Sequence, residues 1–183
     1  YVLAHLGDPH AIAAIDETSF PKQGDQSAGV AHQYCGTTKQ VENCQVGVFL
    51  SYVSTKGHTL IDRELYLPLR WIEDRERCQQ AGIPETVRFQ TKCELARQMM
   101  QRLHHAHISI AWVVADTVYG NNLDLRTWLE DHQYPFVLAV ANTEQIGIMT
   151  SDGPKLMTVK QAEHLSVQPH DWQQFSVKTG TKG

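Results

Sequence analysis

The 183-residue sequence has no cysteine pair spaced C-x-x-C, no apolar run near membrane-spanning length, no excess of basic charge and no internal repeat. Each absence excludes something. The four cysteines, Cys35, Cys44, Cys78 and Cys93, are scattered. That pattern argues against a zinc ribbon or a disulfide framework and fits free thiols in a reduced cytosolic compartment. A membrane helix needs about 20 consecutive apolar residues, and none is present, so no membrane partner is expected. A net charge of -4 argues against a dedicated nucleic-acid-binding module, which is usually basic. It leaves room for an enzyme that gathers acids around metal ions and grips DNA with other segments. No secretory leader is visible. The chain opens on Tyr1 and stops at "KTGTKG", which reads as a fragment or a processed piece. What is present is ordinary globular composition, 42% hydrophobic and 20% charged, in a chain long enough for one domain with a sizeable core.

Residues 1–10 read as a lead-in closed by an Asp8-Pro9 turn. Ile12 to Ile15 is a short buried strand, and "SFPKQGDQSAG" (19–29) a loop by its Pro, Gly and Ser content. "QVGVFLSYVS" (45–54) and "HTLIDRELYLP" (58–68), joined at Lys56-Gly57, predict a hairpin. "WIEDRERCQQAGIP" (71–84) is a charged, partly helical excursion. In "TKCELARQMMQRLHHAH" (91–107), Leu95, Met99 and Leu103 recur at helical spacing, and Thr91 with Glu94 forms a capping-box pattern. A strand (108–116), a helix (123–132) and a further strand (135–141) follow. Past Ala141 the pattern weakens to strand-like pieces at 155–159 and 174–178 and a short helix at 160–165. Three meandering strands, then helix, strand, helix, strand, is the order of an α/β ribonuclease-H-like fold: a mixed five-stranded sheet flanked by helices. The expected division is a lead-in (1–10), a catalytic core (11–141), and the start of an insertion or accessory β region (142–183).

Two apolar runs end in acid. "AIAAIDETSF" carries a strand into Asp16 and Glu17, and "IAWVVADTVYG" carries another into Asp116. Burying an unpaired carboxylate is costly, so a strand that delivers one needs a reason. An Asp at a strand end is often only a helix cap or turn former. In the expected fold, however, the first and fourth strands are neighbours, and both acids project into one spot. Two like charges that close repel unless cations neutralise them. Such oxygen-rich sites suit Mg²⁺ or Mn²⁺, and two ions can align nucleophile and leaving oxygen for in-line phosphoryl displacement. Asp16 and Asp116 are therefore the candidate catalytic residues and metal ligands.

The blocks "AIDETSFPKQG", "GVAHQYCGTTKQVENCQVGVFLSYVS", "GHTLIDRELYLP", "TKCELARQMM" and "WVVADTVYG", in this order, resemble the DDE transposases of bacterial insertion sequences, particularly the insertion-sequence 701 group. The resemblance runs from about Ile12 to Ala141. It implies a metal-dependent domain that hydrolyses phosphodiesters at transposon ends and joins them to a target. It further implies double-stranded DNA as partner, a homodimer in the full-length protein, and a cytoplasmic, nucleoid-associated setting in a bacterium. The first two acids of the triad fall on Asp16 and Asp116. The third, a Glu on a helix beyond an insertion, is expected downstream of Gly183, and Glu130, Glu144 and Glu163 do not stand in its context. Two rival readings keep the sequence but change what it does. One is a structure-selective nuclease of the same fold that cuts without joining, and the other is a catalytically dead remnant.

Other residues carry two readings each. Lys22, in the loop after the first acid, is a DNA-phosphate contact or a solvated lysine. Lys178 and Lys182 form a basic tail that tracks a DNA backbone or a turn cut short. Glu17 is expected to support the site rather than ligate, because adjacent strand residues face opposite ways. Thr117 and Tyr119 line the cleft or pack. The family usually shows a basic residue where His32 stands. "LHHAH" (103–107) could suggest zinc but reads better as cationic side chains at a helix end. Trp71, Trp112 and Trp128 are core candidates, and Trp172 is the candidate to stack on a flipped base.

Overall fold

The computed structural model describes residues 1–166. These residues fall into two units, Tyr1–Ala139 and a second that begins at Val140. The first unit begins with α1 (Val2–Leu6), β1 (Ile12–Pro21), β2 (Ala31–Cys35), β3 (Gln40–Ser54) and β4 (Gly57–Tyr66). It continues with α2 (Leu69–Glu73), α3 (Arg75–Gln80), α4 (Lys92–His105), β5 (Trp112–Ala115), α5 (Thr117–Gly120), α6 (Leu123–Asp131) and β6 (Phe136–Leu138). The second unit contains the hairpin β7 (Gln145–Thr150) and β8 (Gly153–Thr158), then α7 (Val159–Ser166). No helix among the described residues is long and apolar enough to cross a membrane. The strand expected at 174–178, with Trp172, Lys178 and Lys182, lies outside the described residues.

The main sheet is mixed. β3 runs antiparallel to β1 on one side and to both β2 and β4 on the other. β1 pairs with β5, and β5 with β6, in parallel. The five strands expected from sequence therefore take the order β4-β3-β1-β5-β6, antiparallel in the meander and parallel after the α4 crossover. This is the ribonuclease-H-like α/β arrangement. β2 is a sixth, short strand that the sequence reading missed: its polar "HQY" has no apolar signature, and pairing with the long β3 creates it. β1 likewise runs on to Pro21 through residues that read as loop, because β3 offers partners as far as Cys44. Proline is tolerated at that end position because it need not donate to the ladder.

One face of the sheet carries the core. Ala13, Ile15, Val48, Leu50 and Val113 pack against Leu95, Met99, Met100 and Leu103 of α4 and against Leu125, Trp128 and Leu129 of α6. α4 starts where expected, with Thr91 accepting from the Glu94 N–H and the Glu94 carboxylate accepting from the Thr91 N–H. Arg102 on α4 bridges Asp62 (2.7 Å) and Glu64 (2.6 Å) of β4. A smaller cluster joins Val30, Trp71 and Cys78, with the Trp71 indole donating to the Val30 carbonyl at 2.7 Å. Trp71 and Trp128 are buried as expected. Trp112 is not: it is 46% exposed, because strand alternation puts it on the face opposite Val113. All four cysteines are free thiols. Burial pushes the Cys44 thiol up to about 11.

Candidate active site

β1 and β5 hold register from Ile12↔Trp112 to Ile15↔Ala115. One residue further on, each strand delivers an acid, Asp16 and Asp116. Neighbouring strands lie about 4.8 Å apart, so the two residues emerge side by side. Ile15 and Val113 point into the core, and alternation turns Asp16 the other way, while Asp116 stands just past the end of β5 as the N-cap of α5. Both acids line one open cleft of about 490 Å³ with Glu17, Thr18, Ser19, Tyr34, Thr37 and Lys92.

Local backbone chemistry fixes each carboxylate. Asp16 Oδ1 accepts from the Glu17 N–H at 2.8 Å. Asp116 is the N-cap of α5, its Oδ1 accepting from the Val118 N–H at 2.9 Å. The capping role that an Asp at a strand end commonly plays is thus real here, and it leaves the carboxylate in the cleft. Among the described residues, nothing hydrogen-bonds the Oδ2 of either acid. The Asp16 carboxyl is held above its ordinary range, first by burial and then by the charges of Asp116 and Glu17. The Glu17 N–H and the Lys92 ammonium pull the other way. Two neighbouring hard-oxygen donors with mutual repulsion fit Mg²⁺ or Mn²⁺ in kind. Among the described residues they do not form part of a group of three or more His, Cys, Asp or Glu side chains placed to hold an ion. Glu130 is not among the cleft's residues.

Beside the acids lies a second network, which lines the same cleft through Glu17 and Lys92 and reaches the core through Tyr119. Glu17 Oε1 accepts from Lys92 Nζ at 2.7 Å, and Oε2 accepts from the Tyr119 hydroxyl at 2.8 Å. Tyr119 is fully buried, and burial together with the Glu17 charge drives its phenol far above the usual range. Of the two roles left open for Tyr119, packing is therefore the one it takes, while Val118 is the residue of α5 that reaches the cleft. The far wall is built by the β2–β3 turn. It is fastened to β1 through the Gly36 N–H on Ser19 Oγ (3.1 Å) and Thr37 Oγ1 on the Ser19 carbonyl (2.6 Å). Those bonds hold Tyr34, 61% exposed, over the cleft.

The other sequence candidates fall elsewhere. Lys22 follows the end of β1, six residues beyond Asp16, or about 20 Å along an extended strand. It is not among the residues of the cleft. The cation that does line it is Lys92, which the sequence reading did not single out. His32 is exposed on β2, and its carbonyl accepts from Arg70 (3.2 Å). In the histidine segment, His104 Nδ1 lies 2.9 Å from the Tyr134 hydroxyl, and its ring sits 5.1 Å from that of His132. The first is a hydrogen bond and the second an edge-on ring contact, and neither belongs to a metal-holding group among the described residues.

Comparison with known proteins gives two findings. The family model described as "DDE superfamily endonuclease" matches residues 1–181. Among solved structures, the Drosophila P element transposase strand transfer complex is similar at a TM-score of 0.30 and 10% identity, over 87% of this chain and 35% of that one. The chain thus spans about a third of that protein's length. No curated protein matches. The strand order, rather than the structural likeness, carries the fold assignment.

Proposed function

The chain belongs to the DDE superfamily endonuclease family, and from that membership we propose that its cleft is the catalytic centre of a transposase acting on double-stranded DNA. The observation that carries this reading is the parallel register ending at Ile15↔Ala115, which sets Asp16 and Asp116 next to each other at the mouth of one groove. Asp16 and Asp116 hold divalent cations, Mg²⁺ or Mn²⁺, through their carboxylates, each oriented by a bond from the backbone. Cations held by these two carboxylates would supply Lewis acidity to a scissile phosphodiester and to an attacking water. Lys92 offsets part of the negative charge of the acids and meets the approaching DNA backbone. Tyr34 and Thr37 bound the groove on its other side and orient the strand. The same groove then accepts a freed 3′-hydroxyl and directs it at target DNA, so no covalent protein–DNA intermediate is needed. A second copy of the full-length protein serves the second transposon end.

The test is Mg²⁺-dependent cleavage of an end-bearing duplex by the full-length protein. Asp16→Asn and Asp116→Asn each lower the rate by about 10³-fold or more, the scale of losing a group that acts as part of a unit. Both variants melt no lower than the parent, because both side chains are exposed. Cleavage retained by either variant overturns the assignment. A pre-cut end with a free 3′-hydroxyl, incubated with target plasmid, yields a joined product from a transposase and none from a nuclease that only cuts.

A further inference from the structure

The ladder between β1 and β5 stops at Ile15↔Ala115. The two acids lie just past the last paired residues, with like charges side by side. β5 is only four residues long and α5 another four, so the segment that carries Asp116 has little regular structure of its own. The cross-link that follows the end of the ladder is made by Glu17. Strand alternation turns it toward the core side of the sheet, and there a single carboxylate receives donors from two other segments. Lys92 Nζ, on the first residue of α4, lies at 2.7 Å, and the Tyr119 hydroxyl, three residues past Asp116, lies at 2.8 Å. Neither group of the ion pair is freely solvated, with side-chain exposures of 27% and 18%. Tyr119 is anchored in turn, since its ring is fully buried in the main core. Behind it Gly120 approaches the Ala139 carbonyl so closely that a Cβ at that position would meet the oxygen at 1.8 Å.

We propose that Glu17 is a positioning residue: with Tyr119 and Lys92 it clamps the segments bearing Asp16 and Asp116, fixes the separation of the two carboxylates against their repulsion, and so sets how tightly the pair takes up a divalent cation. This rests on the reading of Asp16 and Asp116 as cation-holding acids. Glu17 itself is not a ligand. Its two oxygens are already occupied by Lys92 and Tyr119, and it acts on the site through the backbone of β1 and the start of α5. Lys92 has two jobs in this arrangement: it keeps Glu17 from adding a third unpaired negative charge beside the pair, and it presents positive charge to the cleft.

The experiment measures Mn²⁺ affinity of the full-length protein by calorimetry, with no DNA present, alongside the half-saturating Mg²⁺ concentration for cleavage. Tyr119→Phe removes one hydroxyl and keeps the ring in the core. Glu17→Ala removes the whole clamp, and Glu17→Gln keeps an acceptor for Tyr119 while dropping the charge. Groups that orient ligands typically change metal affinity by about 10–100-fold, and Tyr119→Phe and Glu17→Ala are expected to weaken Mn²⁺ binding within that range. Glu17→Gln falls between Glu17→Ala and the parent. The half-saturating Mg²⁺ rises in parallel, and saturating Mg²⁺ restores most of the cleavage rate. Leu103→Val is the control for lost stability. It truncates the core at the other end of α4, about 16 Å along the helix from Lys92, and leaves Mn²⁺ affinity unchanged. Mn²⁺ binding within about twofold of the parent in both Tyr119→Phe and Glu17→Ala overturns the clamp, on the scale set by the same range. So does an equal loss of affinity in Leu103→Val at matched melting temperature. Asp16→Asn separates the two levels: if it binds Mn²⁺ like the parent, the reading of the acids fails, whereas if it loses Mn²⁺ while Tyr119→Phe and Glu17→Ala both keep it, only the clamp fails.

Discussion

The two faces of the main sheet are made by the same strands and could hardly differ more. On one, Ala13, Ile15, Val48, Leu50 and Val113 are sealed beneath α4 and α6. On the other stand Asp16, one residue along β1, and Trp112, Val137 and Leu60, exposed at 46%, 63% and 60%, with Asp116 just past the end of β5. The first face specifies the fold, because close-packed apolar side chains tolerate neither voids nor charge. The second is released from that duty and can carry chemistry. Their separation is only one residue of register. A slip by one would bury Asp16 and expose Ile15, so the packing that holds Ile15 inward also guarantees that the acid faces out.

Substitutions on the two faces differ in how much stability they remove. Met99→Ala, on the covered face, is expected to cost about 2–5 kcal/mol in denaturant unfolding, as large-to-small core changes do. Val137→Ala, on the other face, should stay within about 0.5 kcal/mol. Equal losses at the two sites would erase the distinction. Gly120→Ala comes next, at about 1–3 kcal/mol or more, because its Cβ has no space beside the Ala139 carbonyl. A fully stable Gly120→Ala protein would show that α5 is looser than the structure has it. Smallest is the effect of pH through Asp16. Its carboxyl is raised, so the folded chain binds that proton more tightly than the unfolded chain does. Its contribution to stability therefore falls as pH rises from the ordinary carboxylate value, 3.8, through the raised one, and remains unfavourable above. Asp16→Asn should then melt slightly above the parent at neutral pH, with the gain shrinking toward about pH 4. Calorimetric scans at both pH values decide it, and a gain that grows on acidification has the wrong sign.

Much of the fold was legible because its signals are local. The β-branched and aromatic run at 45–54, the turn at Lys56-Gly57 and the Thr91–Glu94 capping box each announce an element without outside help. β2 and the outer half of β1 do not, since partners on β3 create them. That same extension explains the distance of Lys22 from the cleft: what reads as a loop close to Asp16 is straight strand. The acid pair could be read from two apolar runs that each end in Asp. The network beside it could not. Lys92 reaches Glu17 across 75 residues of sequence, and Tyr119 across 102, at separations where no pattern in the chain links them. Tyr34 was hidden for a related reason, because its place over the cleft depends on the turn bonded to Ser19.

The parallel pairing of β1 with β5 has a consequence for the life of each new molecule. Asp16 leaves the ribosome about a hundred residues before Asp116, a delay of about 5–20 s at ordinary rates of synthesis. The meander of β1, β3 and β4 can form in that interval, but the groove has only one of its acids until the crossover helix has emerged and laid β5 alongside. On the function proposed above, a nascent or prematurely terminated chain that stops short of β5 lacks half of the acid pair and has no cutting power.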